Sequence, residues 1–521
     1  MSITIALVAT SGLAFLVYYI CWCLFFSPLS RIPSPGILFA LTKWRLAYED
    51  YKGSRTRKIY AFHEEYGPAI RVGPNEVSFN SLSALRTIYG AGSGFERTNF
   101  YHMFSIYGRR NMFSFNSVSQ HGERKKIIAN SYAKSTILRG NNARIIEEKV
   151  QKYLELLERE GRQNNIFLTL HYFSLDNITE FLYGHFGKTG CLDGVEKDRD
   201  LLRDVIAPGG RRLSWFAVHH PKLTAWLYSR TGFMGCIARQ FYPMQKPTPY
   251  TGIRNHAMAA FQAFSKASPA KRVEHSGSSV ISKLWKHHIS DKEDGLDDLD
   301  IASECADELD GGTDTTSDTL MFAIWELSRP EHKRFQQKLI DEVQSLSEDD
   351  ANFNANGIPR AEVTDKLVYV DAVIKETLRL FAPIPASEPR SLSKPITIDG
   401  YLIPANTVVS MSPYNLHRNA RVFKDPHTFN PDRWVDPSQD LAEMKKLFWA
   451  FSSGGRMCIG MHLAMAEMTT LLAAIYRKYT TEPRDNFGLV SPGITSRFEV
   501  FYDEKCSSMR EHECQIEFKP Q

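Results

Sequence analysis

The chain has 521 residues, 43% of them hydrophobic and 12% aromatic, with 63 Lys and Arg against 59 Asp and Glu for a formal net charge of +4. That composition supports a sizeable buried core, and the near balance of charge argues against a nucleic-acid scaffold. Eight cysteines (Cys21, Cys23, Cys191, Cys236, Cys305, Cys458, Cys506, Cys514) are scattered without framework spacing, as expected of a reduced compartment. No internal repeat, low-complexity tract or interdomain linker composition is present.

Residues 1–30 carry no charged side chain, and Ile3 to Phe26 is mostly apolar. At about 1.5 Å per residue this run can cross the roughly 30 Å hydrocarbon layer of a membrane. A cleaved signal peptide is the rival reading; against it stand the missing basic leader, the length of the run and the lack of a small-x-small cleavage site. Basic residues crowd the far side (Arg31, Lys43, Arg45, Lys52, Arg55, Arg57, Lys58), so the positive-inside rule places the body in the cytosol. The expected membrane is that of the endoplasmic reticulum, crossed once.

Pro28, Pro33, Pro35 and Gly36 predict a stiff, non-helical neck that ends the spanning helix. Tyr66 to Asn75 alternates and then turns, which predicts a hairpin in a small sheet. From Phe95 to Phe115 the chain is aromatic and lacks a clear period. His121-Gly122-Glu123-Arg124-Lys125-Lys126 opens a helical run; His121 and Lys125 share one face, which reads equally as a solvated basic face. Residues 145–340 read as predominantly helical. Asn177-Ile178-Thr179 fits a glycosylation triplet but falls inside a helical pattern and is read as accidental. Trp215, Phe216 and Trp226, near Pro208, Gly209, Gly210 and Pro221, mark an apolar loop with short helices.

From Leu299 to Ser328 apolar and small residues recur in steps of three or four, predicting one helix of about 45 Å that Pro330 stops. In its middle stands Gly311-Gly312-Thr313-Asp314-Thr315-Thr316, although each glycine costs a helix about 1 kcal/mol. A local conflict of that kind marks function. The missing side chains leave space for a small ligand, and a Thr hydroxyl can replace a backbone partner and open the helix. A turn splitting two helices also explains the glycines, but not the unbroken apolar stripe.

Tyr369 to Leu380 predicts a further helix ended by Pro383, with Glu376 and Arg379 on one face, a pair that taken alone is most often a surface ion pair. Ile396 to Ser410 reads as a hairpin turning at Asp399-Gly400, and His417 as a packed structural histidine. Near the end, Phe451-Ser452-Ser453-Gly454-Gly455-Arg456-Met457-Cys458-Ile459-Gly460 presents one cysteine on a glycine-rich loop before a helix from Met461 to about Arg477. The glycines allow positive φ angles and a close planar approach, the helix start favours a thiolate, and Arg456 supplies a cation for an acidic group. A lone Cys is usually a small buried hydrophobe. Zinc competes poorly, because only His462 stands within ligand spacing.

The pattern Phe-x-x-Gly-x-Arg-x-Cys-x-Gly at Phe451, Gly454, Arg456, Cys458 and Gly460 resembles the haem-ligand loop of the cytochromes P450. The Gly311–Thr316 motif, the Glu376-x-x-Arg379 pair and Pro431-Asp432-Arg433-Trp434 resemble that family's other motifs, in its order. The neck at Pro28, Pro33, Pro35 and Gly36 resembles the proline hinge of microsomal members, and the wording from Tyr66 to Asn75 resembles fungal secondary-metabolism members. The resemblance implies a mainly α fold with a small β region, a single-domain cytochrome P450 fold preceded by an N-terminal transmembrane helix: an anchor over 1–30 and a haem-thiolate catalytic domain over 31–521.

It further implies that Cys458 ligates the iron of haem b within a loop shaped by Phe451, Gly454 and Gly460. Arg456 would face the propionates, and so would His121 and Lys125, which stand where many relatives carry Trp and Arg. Asp314 and Thr315 would pass protons to bound dioxygen, and Glu376, Arg379 and Arg433 would form a buried triad behind the cysteine loop. The aromatics of 95–115 would roof the pocket or fill core, Phe381–Ser387 and Ile494–Phe498 would line it, and the region around Trp215 would dip toward the membrane. The partners implied are NADPH-cytochrome P450 reductase, O2, the membrane and a hydrophobic small molecule with a terpenoid, indole or polyketide skeleton; no nucleic acid is expected. Two alternatives stand beside a monooxygenase: a haem-thiolate isomerase or dehydratase without a reductase, and a non-catalytic haem-binding protein.

Overall fold

Asp297 starts the longest helix, Asp298–Ser328, by accepting the Asp300 N–H at 2.7 Å while the Asp300 carboxylate accepts the Asp297 N–H at 3.1 Å. The helix ends where Arg329 turns extended ahead of Pro330. Its 31 residues run unbroken through the glycines, so the split-helix alternative falls. The structure is a computed structural model that describes residues 2–206, 211–241, 251–276, 279–290, 295–349, 351–496 and 499–521. Pro208, Gly209, Gly210, Arg497 and Phe498 lie outside the described residues.

The two glycines serve different ends. A Cβ on Gly312 would meet Ile178 Cγ1 at 2.7 Å, so this glycine lets the long helix press against helix Ile166–Tyr183. A Cβ on Gly311 would meet nothing within 4 Å. The ligand-sized notch expected of both therefore belongs to Gly311 alone. Gly312→Ala should cost about 1–3 kcal/mol in urea denaturation, the range for overpacking a core, while Gly311→Ala, whose Cβ meets nothing, should stabilise by up to about 1 kcal/mol.

Helices Ile166–Tyr183, Val368–Leu380 and Met461–Lys478 pack against the long helix, and Gly140–Glu160 packs behind them in the same hydrophobic cluster. Asn177 is buried in it, its amide donating to Phe173 O at 2.9 Å, so the triplet is no acceptor in the folded chain. A second cluster, including Val77, Phe79, Val409 and Trp449, lies at a five-stranded sheet of order Ala69–Gly73, Glu76–Phe79, Val408–Ser410, Arg390–Ser391 and Glu96–Arg97. The first two strands are the predicted hairpin. The other predicted hairpin is shorter than expected: Ile396–Ile398 pairs with Tyr401–Ile403, and Val408–Ser410 leaves to run parallel to Glu76–Phe79, where Val409 is fully buried.

At the start of the chain, helix Ser2–Cys21 widens into a π-turn over Trp22–Phe26, and the apolar span Thr4–Phe26 is 23 residues long with none of its window buried. The neck is not wholly non-helical: Pro28 opens a 3₁₀ turn, Pro28–Arg31, where its fixed φ suits the first position, and the Ser27 hydroxyl accepts the Leu29 N–H. Arg71, 2% exposed, reaches the widened turn from the sheet, donating from Nη1 to Cys23 O at 2.6 Å and from Nη2 to Pro74 O at 2.9 Å. Tyr19 adds a bond from its hydroxyl to Leu41 O at 2.8 Å.

Candidate active site

The cysteine loop is a tight bend. Gly454 has φ +62° and a Cβ there would lie 2.5 Å from Tyr89 O, so only glycine fits. Gly455 and Gly460 do not share this need; the other positive φ in the loop belongs to Ser452. The Cys458 N–H donates to Phe451 O at 2.9 Å, while the Phe451 ring packs against the core. The thiol is enclosed by protein yet keeps accessible surface, as a group lining an internal space does. Burial pushes it up, outweighing the N–H groups of Gly460 and Met461 and the Lys125 ammonium, which favour the thiolate. The helix start thus does less than expected, and a bound metal cation would supply the rest of the charge that removes the proton.

Beside the loop the chain gathers cations. Arg97 and Arg390 are direct register partners across an antiparallel pair, both buried, an arrangement that repels unless something neutralises it. Arg390 reaches Glu388 Oε2 at 3.0 Å and the Tyr101 hydroxyl at 2.8 Å. Arg456 donates from Nη2 to Asn116 O and Ser117 O at 2.8 and 2.9 Å, but its Nε and Nη1, and Arg97 Nε, are buried without a hydrogen bond. Burial, then Arg97 and Arg390, push Arg456 down to about 9. His121 is buried against the same group, and burial followed by Arg456, Arg97, Lys125 and Arg390 drives it down to about 3. Lys125 donates from Nζ to Gly455 O at 3.2 Å and Met457 O at 2.9 Å, tying the loop closed. Unsatisfied guanidinium donors and facing arginines beside an accessible thiol fit a ligand with acidic groups and a metal at its centre, as haem has.

On the long helix, Gly311 is exposed although the helix runs through the core. The Tyr132 hydroxyl donates to Glu308 of the same helix and is raised by burial and then by Glu308, with Cys458 a smaller contributor. The Thr315 hydroxyl donates to Gly311 O at 2.8 Å without opening the helix, and the Asp314 carboxylate lies 3.7 Å from His171 Nε2. The rings of Phe100, Tyr101, Phe104 and Phe113 pack against one another, with Phe95 and Tyr101 buried as core.

The Glu376 pair is no surface pair. Arg379 donates to both Glu376 oxygens at 2.8 and 2.9 Å and Arg433 Nε to Oε1 at 3.0 Å, with all three side chains at 3% exposure or less. The Trp434 indole and the Asn430 N–H add bonds at 3.0 and 2.9 Å. Burial alone would raise the Glu376 carboxyl, but Arg379 and Arg433 hold it below the usual carboxylate range. Arg379 Nη1 donates to His417 O at 2.9 Å, His417 donates from Nδ1 to Arg379 O at 3.1 Å, and its Nε2 accepts the Trp449 N–H at 2.8 Å. His417, driven to about 3 by burial and by Arg379 and Arg418, stays neutral and holds the start of the cysteine loop.

Sequence reasoning missed Arg97 and Arg390, whose meaning lies in their pairing across strands. The cytochrome P450 family model matches residues 243–491. The chain is 28% identical over 474 residues to the cytochrome P450 monooxygenase stcB of Emericella nidulans, covering 87% of this chain and 82% of that protein. It is 28% identical over 456 residues to the monooxygenase aflV of Aspergillus parasiticus, covering 87% and 85%. It is 26% identical over 494 residues to the monooxygenase cypX of Dothistroma septosporum, covering 91% and 89%. With the motifs, the mainly helical fold and these relatives in agreement, the chain carries a cytochrome P450 domain, and members of that family hold haem b on a cysteine thiolate.

Proposed function

We propose that this protein is a haem-thiolate monooxygenase that inserts one atom of O2 into a hydrophobic small molecule, with residues 1–30 as its membrane anchor and 31–521 as its catalytic domain. The observation that carries this is the accessible Cys458 thiol beside Arg456 and Arg97, whose buried Nε groups, with Arg456 Nη1, lack hydrogen-bond partners, and beside Arg390, which faces Arg97 across the strands. Bound haem would supply O2 activation and transfer of the oxygen atom. Cys458 would hold its iron, Arg97, Arg390, Arg456 and His121 its propionates, and Lys125 would keep the loop around the thiolate closed. Gly311 leaves room for O2, and Thr315 with Asp314 forms the acid-alcohol pair that delivers protons.

NADPH-cytochrome P450 reductase is the electron donor in this reading, the endoplasmic reticulum its membrane and the cytosol the side of the catalytic domain. The apolar Thr4–Phe26 helix supports it. So do exposed apolar side chains on two segments joined by a bond from Trp215 Nε1 to Ala47 O at 2.8 Å: Ile37, Leu38 and Trp44 on one, Leu223, Trp226 and Phe233 on the other. Fungal relatives and the aromatic cluster support a secondary metabolite of terpenoid, indole or polyketide type. The test is the carbon monoxide difference spectrum of the reduced protein, followed by O2 uptake with NADPH and the reductase. A long-wavelength Soret band with NADPH-dependent uptake is expected; that band with no uptake under any substrate would point to an isomerase or dehydratase instead.

The facing arginines give a prediction of opposite signs. Arg97→Gln should raise the thermal midpoint of the haem-free chain by removing a repulsion, and should weaken haem retention about ten- to a hundredfold by removing a charged hydrogen bond worth about 1.5–3 kcal/mol. Haem transfer to apomyoglobin and thermal unfolding of the haem-free protein measure the two effects separately.

A further inference from the structure

Glu304, Asp307, Glu308 and Asp310 stand within about two turns of the long helix, and all but Asp307 have a partner. Glu304 meets Arg124 Nη1 at 2.7 Å and accepts the Met112 N–H at 3.1 Å, Glu308 accepts the Tyr132 hydroxyl, and Asp310 meets Arg254 Nη2 at 2.8 Å. Asp307 makes no hydrogen bond or ion pair with any described residue. Ile301 to Ala306 are buried, yet Asp307 is half-buried, Gly311 one turn on is exposed, and Thr315 a further turn on is half-buried. Steps of four keep these three on one face. Protein encloses that face, so the Asp307 carboxyl lines the internal space that Gly311 opens, about 6 Å from it along the helix axis.

The wall beside it is aromatic. The Ser303 hydroxyl donates to Arg109 O at 3.1 Å and Glu304 accepts the Met112 N–H, which clips this loop to the helix one turn before Asp307. Phe113 follows, its ring edge-on to Phe104 at 4.9 Å and to Tyr101 at 5.5 Å between centroids. The two cations that act on Asp307 are held elsewhere. Arg97 packs on the Tyr101 and Phe113 rings at 4.4 and 4.3 Å and donates to Phe113 O, and Arg254 is bonded to Asp310. Burial, then Glu304 and Asp310, push the Asp307 carboxyl well above the usual carboxylate range. The same acidic neighbours attract a cation and repel an anion, and a cation beside the carboxyl would restore its charge. We propose that Asp307 anchors a cationic nitrogen on an otherwise hydrophobic substrate. This rests on the reading of the space at Gly311 and Thr315 as the substrate side of a haem monooxygenase. It selects, among the skeletons named above, those that carry a protonated or quaternary amine.

The experiment titrates the ferric holoenzyme with phenylalkyltrimethylammonium ions of graded chain length and with their neutral isosteres, in which a quaternary carbon replaces the nitrogen. A quaternary nitrogen has no lone pair and cannot ligate iron, so equilibrium dialysis and the Soret shift report occupancy of the pocket alone. The carbon monoxide spectrum and the haem-to-protein ratio confirm an intact site in each variant. Asp307→Asn should weaken the best-binding cation about ten- to a hundredfold, the range for one charged contact. It should leave the neutral isostere within about twofold, as for a ligand that makes no contact with the charge. Asp307→Glu, which keeps the carboxylate, should recover most of the loss. A cation series that binds the parent at no chain length, or that binds Asp307→Asn as well as the parent, overturns the anchor. Should Asp307→Asn retain too little haem, Asp307→Ser carries the same comparison; haem lost from both assigns the carboxylate to steadying Arg97 and overturns the anchor as well. Binding needs neither reductase nor turnover. Selective loss of the cation in a protein that shows no NADPH-dependent O2 uptake sinks the monooxygenase reading and leaves the anchor standing, and uptake without that selectivity does the reverse.

Discussion

Cys458→Ala yields a folded protein whose reduced carbon monoxide complex lacks the long-wavelength Soret band and whose NADPH-dependent O2 consumption falls to background. The thiol takes no part in the packing that holds its loop: Cys458 N–H to Phe451 O, Lys125 to the Gly455 and Met457 carbonyls and Arg456 to Asn116 and Ser117 all survive the change. The unfolding midpoint of the haem-free variant should therefore stay within about 0.5 kcal/mol of the parent, as for a substitution that breaks no packing. What is lost is the only thiol at this site among the described residues, and His462, on the following helix, is the nearest other ligand type in the chain. A variant that kept the long-wavelength band would remove Cys458 from the iron.

Glu376→Ala should cost about 3–5 kcal/mol, the range for breaking a buried ion pair on one side, and should give protein with little haem. Five N–H groups converge on the two Glu376 oxygens, from Arg379 Nε and Nη2, Arg433 Nε, Trp434 Nε1 and the Asn430 backbone. Removing the acid leaves two arginines facing each other away from water. The isosteric Glu376→Gln should also fail, to a lesser degree, because its amide NH2 must meet N–H donors whichever way it turns. The damage reaches the iron site through Arg379 to His417 O and from the His417 ring to the Trp449 N–H, two residues before Phe451. The measurements are the haem-to-protein ratio and the urea midpoint. A full complement of haem in Glu376→Ala would mean that the triad does not hold the loop.

What the sequence made legible is what is local in it. The cysteine loop could be read because its functional spacing is compressed into ten consecutive residues, and the long helix because a 3.6-residue stripe crosses a motif of poor helix formers. Even there the reading was coarse. It treated Gly311 and Gly312 as one notch, because only tertiary packing tells a glycine that faces Ile178 from one that faces open space. Arg97 and Arg390 are far apart in the chain and sit in strands two residues long, too short for any periodic signal, yet register sets them opposite each other.

The grip of Arg71 on the widened turn at Cys23 bears on mechanics. A helix joined to a body by a floppy leader behaves as a leash, and the body samples many tilts. Here the join is a bracket: a guanidinium bonded to carbonyls on both sides of it, a tyrosine hydroxyl from the helix to Leu41 and a proline-led turn between. Swivelling the body about the helix axis would strip several buried polar groups of their partners together, each costing about 1–3 kcal/mol. Whatever surface holds the helix upright therefore also sets the compass bearing of the pocket mouth.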